Sequence, residues 1–229
     1  PLAARSSEGE DMVAAARRAG CVLQVGHVER FNGAFEAAAS LVQYPRFIES
    51  HRLGTFTPRG TDVSVVVDLM IHDIDLVLSL LDGDRLVELR ASGAGVLTGS
   101  ADIVNARLEF AGGCVANLTA SRISRDPLRK IRFFKENLYV SVDLRSRTVE
   151  AFRKAETLDP VALAEDPRAF IRSVDVVVDM GEPLAREIDS FIAAVRSGKE
   201  PAVSGSDGLA ALRIAEMILE RVDPAREGA

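Results

Sequence analysis

Cysteine is scarce in this chain: Cys21 and Cys114, alone among 229 residues, are too few for a disulfide framework. Both sit in strand-like apolar stretches, which predicts two buried free thiols and suits a reducing cytoplasm. An excess of one charge sign is lacking too. Lys and Arg number 28 against 34 Asp and Glu, the net charge is -6, and both signs are interspersed. That balance gives no electrostatic footing for nucleic acid or an anionic membrane. The longest apolar stretch, 63–81, carries four ionisable groups, which argues against a membrane span. No signal peptide opens the chain. The three histidines, at 27, 51 and 72, are too scattered to form a metal site by spacing. Repeats and low-complexity segments are absent. So is an initiator methionine, and Pro1-Leu2-Ala3 runs straight toward a helix, so a piece of a longer protein is expected. What remains is ordinary globular composition, 47% hydrophobic and 27% charged.

Ser7 and Glu10 fit a capping box, predicting a helix from there to about Ala19 with Gly20 as its stop. Residues 21–25 read as a short buried strand. A helix, a glycine and a buried strand make one αβ unit of a parallel sheet, whose remainder is expected upstream. Residues 31–42 look helical, 46–53 extended and 54–62 a polar loop. After the apolar segment 63–81 come strand patterns at 86–92, 103–110, 114–120, 129–134, 138–144 and 147–152, with Gly112-Gly113 as a hairpin turn. This predicts an antiparallel sheet with helices on one face. Residues 159–174 carry Pro160 and Pro167 and read as loop with a short helical turn, and 173–178 as a strand. Pro183 opens a helix whose stripe is Leu184, Ile188, Phe191, Ile192 and Val195. Ser206 or Asp207 caps the last helix.

The segment 65–78 carries the chemistry. Asp68 and His72 are four residues apart, one helical turn, in nearly continuous apolar sequence. At about 100° per residue, Asp68, His72 and Asp75 fall within an arc of about 60°. A helix apolar on most sides is buried, and burying these groups without partners costs several kcal/mol. A carboxylate beside an imidazole makes a general base. The alternative is a satisfied buried ion pair that fixes the helix. Gly93-x-Gly95-x-x-x-Gly99 is not read as a dinucleotide loop, since a strand and not a helix follows it.

Several phrases together resemble one family. Pro1-Leu2-Ala3, Gln24-Val25-Gly26-His27, Glu29-Arg30-Phe31-Asn32, Asp68-x-x-x-His72-Asp73, Glu182-Pro183-Leu184-x-x-Glu187-Ile188-x-x-Phe191 and Ser204-Gly205-x-Asp207-Gly208-Leu209 follow one another as in the glucose–fructose oxidoreductase and inositol dehydrogenase family. The resemblance implies an α+β domain with a large open, mostly antiparallel sheet and helices on one face, preceded by the last α-β unit of a truncated Rossmann domain. Residues 1–27 would be the remnant of that dinucleotide-binding domain, and 28–229 the substrate-binding and oligomerisation domain. It implies NAD or NADP as cofactor, with the main binding loop and the family's catalytic lysine missing before Pro1. A fragment so cut would be inactive. Gly33 stands where many relatives have proline.

The same resemblance makes His72 the base that takes the hydroxyl proton, with Asp68 orienting it or holding a substrate hydroxyl. Arg30, Asn32 and Asp73 are candidates for the substrate pocket. Arg59 is a candidate for a substrate phosphate or carboxylate, which a guanidinium grips through parallel hydrogen bonds. Pro1 and His27 would lie near the cofactor. Structural roles stand beside these: a cap for His27, ion pairs for Arg30, Asp73 and Asp75, a solvated loop for Arg59. The phrase 27–32 looks most like members that oxidise nucleotide sugars such as UDP-N-acetylglucosamine. A homodimer or homotetramer through the open sheet is implied. The rival expectation is a non-catalytic sugar-binding or assembly domain descended from such enzymes.

Overall fold

A computed structural model of the chain describes residues 1–57, 63–155, 166 and 170–222. Eight strands form one open sheet in the order β2-β3-β4-β1-β5-β6-β7-β8. They are β1 Phe47–Leu53, β2 Leu86–Ala94, β3 Ile103–Phe110, β4 Val115–Ser121, β5 Leu128–Lys135, β6 Leu138–Asp143, β7 Thr148–Lys154 and β8 Ile171–Val174. Neighbours run antiparallel except β1 with β4, which pair in parallel. The helices are α1 Ser6–Ala19, α2 Gly33–Val42, α3 Ile71–Leu80, α4 Pro183–Ser197 and α5 Gly205–Val222. Two short turns matter for the site: a 3-10 turn, Val28–Phe31, and a π turn, Val66–Met70, that leads into α3. The expected class, an open and mostly antiparallel sheet with helices over one face, is what forms.

Strand alternation explains the layering. Ile48, Ser50 and Arg52 of β1 turn toward α3 and the core, while Phe47, Glu49, His51 and Leu53 stay part-exposed on the other face. Val104, Ala106, Leu108 and Phe110 of β3, and Val140 and Val142 of β6, join them beneath α2, α3 and α5. On the opposite face Phe47, Phe134, Tyr139 and Phe152 form a ring ladder across four strands, with centroids 5.7, 5.2 and 6.1 Å apart. Asn32 caps α2, its Oδ1 accepting from the Ala34 N–H.

Several local expectations need correction. α1 starts at Ser6, earlier than a Ser7 cap allows, because the Glu8 carboxylate accepts the N–H groups of Ala4 and Arg5. The strand at 21–25 shrinks to an isolated bridge, Gln24 to Ser204, since among the described residues its extended partner is the short stretch 203–205. Cys21 is consequently exposed, while Cys114 is buried as expected. α5 is capped by Ser204, whose hydroxyl accepts the Asp207 N–H while Asp207 accepts from Ser204 in return. The stripe of α4 is uncovered: Leu184, Ile188 and Val195 are each more than half exposed. Of the 159–174 region read as loop, 159–165 and 167–169 lie outside the described residues, as does Arg59, and Ile171–Val174 is strand β8 instead. Residues 173–178 form strand only as far as Val174.

Gly33 shows why proline is not used here. A Cβ at this position would lie 1.9 Å from the Asp179 carbonyl oxygen. Gly33→Ala should therefore destabilise the domain by about 3 kcal/mol, through the backbone shift it forces. A drop in the urea midpoint without change in m-value checks this.

Candidate active site

The π turn decides what the candidate segment presents. The Ile71 N–H reaches back five residues to the Val66 carbonyl, a bond that widens the turn. Asp68 is therefore not stacked as an α-helical spacing would stack it. It lies exposed at the surface and makes no hydrogen bond to His72, which corrects the expectation of a buried acid–imidazole pair. π turns inside helices are frequent at functional sites.

The buried carboxylates of this helix are Asp73 and Asp75, each 1% exposed and each neutralised by an arginine. Arg30 pairs with Asp75 at 2.8 Å. Arg52 approaches both oxygens of Asp73, with Nη2 2.8 Å from Oδ1 and Nε 3.2 Å from Oδ2. Its Nη1 bonds Glu29 at 3.2 Å. Burial by itself would lower the Arg52 pKa, but Asp73 and then Glu29 outweigh it, and the guanidinium is held charged. Asp73 is thus not open to a substrate. Nor is Asn32: its amide donates to Glu29 and to the Leu144 carbonyl, and its oxygen caps α2. The pocket roles expected of both are replaced by structural ones. Pro1 is exposed at the surface.

Two imidazoles remain. His27 is 1% exposed, and neither of its ring nitrogens has a hydrogen-bond partner. Its ring stands edge-on to His72, at 82° with centroids 5.6 Å apart. His72 is half-buried; its Nδ1 is sealed and unbonded, so Nε2 is the nitrogen that can meet a ligand. Burial first, then the charge of Arg52 and the nearby His27, push the His72 pKa down to about 3. Burial also lowers that of His27, opposed by Asp75. At neutral pH His72 is an uncharged imidazole with a free lone pair, the state a proton acceptor needs.

A stability consequence follows from those directions. The unfolded chain protonates His72 at about pH 6.5 and the folded chain only near pH 3, and His27 is lowered in the same direction. Between these values the unfolded state binds more protons, so stability falls as pH drops from about 6.5 toward 3. Urea midpoints at about pH 7 and about pH 5 should differ less in His72→Asn than in the parent chain.

The loop after β2 is closed to phosphates. Its Val96, Leu97 and Thr98 N–H groups all donate to one buried carboxylate oxygen, Asp102 Oδ2. A strand follows, as the sequence predicts. Among the described residues no glycine-rich strand-to-helix turn is present to hold a pyrophosphate, and no cluster of His, Cys, Asp and Glu is suited to a metal ion. No described helix is long and apolar enough to cross a membrane. The orphaned nitrogens of His27 and His72 fit the nicotinamide and carbinol end of a dinucleotide reaction; its adenosine end has no fit among the described residues.

Residues 25–137 match the family model for the GFO/IDH/MocA C-terminal domain. The chain is 32% identical over 225 residues to the UDP-N-acetylglucosamine 3-dehydrogenase of Acidithiobacillus ferrooxidans, covering 97% of this chain and 69% of that protein. The chain belongs to the GFO/IDH/MocA family. The solved structure of that dehydrogenase superposes with a TM-score of 0.87 over 98% of this chain and 70% of its own. The inositol 2-dehydrogenase of Rhizobium meliloti is 26% identical, with 90% of this chain and 64% of that protein covered. A levoglucosan dehydrogenase solved with NADH and L-sorbose shares the fold at 16% identity and a TM-score of 0.79, covering 98% of this chain and 70% of its own. The relatives at and above 26% identity named here are dehydrogenases, so a member of an oxidoreductase family is the frame for the site.

The sequence reading missed Arg52, Glu29 and Arg129. The available signal was the phase of β1: Arg52 continues the core-facing series Ile48, Ser50, and an arginine there demands buried acids.

Proposed function

We propose that this chain is the substrate side of an NAD(P)-dependent dehydrogenase acting on a sugar or nucleotide sugar. The observation that carries this is His72: an imidazole kept neutral by its surroundings, with one nitrogen sealed and the other open, in a chain 32% identical to a nucleotide-sugar dehydrogenase. NAD or NADP, when bound, would supply the hydride acceptor for the carbinol carbon. His72 Nε2 takes the hydroxyl proton as that hydride leaves. The edge contact with His27 supports a fixed ring orientation, and Asp68, exposed on the preceding turn, would bind a substrate hydroxyl. The Arg52–Asp73 and Arg30–Asp75 pairs anchor the helix that carries the base.

In this reading residues 1–27 end a dinucleotide-binding domain and 28–229 form the substrate domain. The uncovered apolar stripe of α4 supports a further domain packing there, since a contiguous exposed apolar face marks an interaction surface. The whole protein is a cytoplasmic homo-oligomer whose copies meet through the open sheet face, where the aromatic ladder lies. Tyr139→Arg should then lower the oligomeric mass seen by sedimentation. The test of function is nicotinamide reduction by the whole protein against a panel of sugars and nucleotide sugars. Turnover with one of them supports the proposal; sugar binding without any turnover would make the chain a binding module.

A further inference from the structure

Arginines crowd one cleft beside the catalytic helix. It has a volume of 530 Å³, and Arg52, Arg129 and Arg145 line it together with Thr55, Leu69 and Pro127. No carboxylate is among its lining residues. Leu69 belongs to the π turn, three residues before His72. Arg52 and Arg129 are directly opposite one another on β1 and β5, a placement in which like charges repel. A single oxygen, Glu29 Oε1, is shared between them, 3.2 Å from Arg52 and 3.4 Å from Arg129.

The three arginines are not equally satisfied. Arg52 is fully engaged by Asp73 and Glu29. Arg129 has only the long Glu29 contact and is 54% exposed. Arg145 is exposed, and its guanidinium has no ion pair among the described residues. Yet its backbone is fixed. Asp143 Oδ1 accepts the N–H groups of Arg145 and Ser146, and the Leu144 N–H bonds the Arg129 carbonyl at 2.8 Å. Two forked cations are thus held side by side, open to the cleft, with less negative charge than they can use.

We propose that this cleft is an anion subsite in which Arg129 and Arg145 grip the diphosphate of a nucleoside-diphosphate sugar whose sugar ring reaches His72. The assignment rests on the dehydrogenase reading above and narrows its substrate class. A planar guanidinium meets two phosphate oxygens at once, and a doubly charged ligand relieves the repulsion built into the β1–β5 pair. Neutral sugars gain nothing from the cleft.

The experiment is calorimetric titration of the chain with inorganic pyrophosphate, with UDP and with N-acetylglucosamine. Pyrophosphate and UDP should bind at one site. Arg129→Gln with Arg145→Gln should weaken both by about 10- to 100-fold, and Arg145→Gln alone, at an exposed position, by several-fold. Arg90→Gln, on the far strand β2, should leave both unchanged. Absence of pyrophosphate and UDP binding to the parent chain, or equal binding by the double variant, overturns the subsite. A whole-protein assay separates the two claims. If the double variant keeps its KM for a nucleotide sugar while His72→Ala still abolishes turnover, the dehydrogenase reading stands and the subsite falls. If His72→Ala turns over normally, the catalytic reading falls whatever the titrations give.

Discussion

His72→Ala in the whole protein is expected to reduce turnover by about 10²- to 10⁴-fold, the usual worth of a positioned general base. Substrate KM should change little, because the proton is transferred only as the hydride leaves and the lost interaction belongs to the transition state. The environment keeps the ring in its proton-accepting form at neutral pH. His72 is half-buried, its Nδ1 has no partner, and burial together with the Arg52 charge keeps the ring unprotonated. A free imidazole added to the alanine variant should restore part of the rate, which a merely structural histidine would not allow. The substitution also removes the edge contact to His27, so the melting temperature is measured alongside, and the rate loss must exceed what any unfolding explains.

Arg52→Met should destabilise the domain by about 3–5 kcal/mol, the cost of breaking one side of a buried ion pair. The methionine keeps most of the stem's packing and removes the fork. Asp73, 1% exposed, then loses every side-chain donor it has. Glu29 keeps Asn32 and the more exposed Arg129, so the loss concentrates on Asp73. The sign with pH is a separate check. A buried carboxylate without a partner favours its protonated form, so the gap to the parent chain should narrow as pH falls. Arg52→Lys should recover only part of the loss, since one ammonium cannot meet both Asp73 oxygens and Glu29. Urea midpoints at two pH values measure all of this.

Much of the fold was readable because it is written in short-range pattern. Period-two alternation located β3 and β6, Gly20 and Gly198 marked helix ends in the left-handed conformation, and Gly112-Gly113 marked a turn. The parallel pairing of β1 with β4 was not readable, since it joins segments separated by three other elements. At the site, His72 was legible as an imidazole in apolar sequence. Its neighbours were not. Spacing assumes an α turn, whereas the Val66–Ile71 hydrogen bond makes a π turn and sends Asp68 outward. An ion pair was among the roles open to Asp73 and Asp75, but which arginines they meet was not legible, because Arg52 and Arg30 are distant in sequence and reach them only in the folded chain. The cap of α5 was read as Ser206 or Asp207; the reciprocal bonding of Ser204 with Asp207, which fixes the cap two residues earlier, is visible only in the folded chain.

In the proposed reaction an alcohol loses its proton to His72 while its hydride goes to a nicotinamide. The most direct measurement supplies the whole protein with a sugar or nucleotide sugar deuterated at the carbinol carbon, then examines the reduced nicotinamide by mass spectrometry. Deuterium is expected on the nicotinamide ring with the parent protein, and nearly none with His72→Ala in the same time. Label transfer at equal rates in both, or none from any substrate that binds, would contradict it.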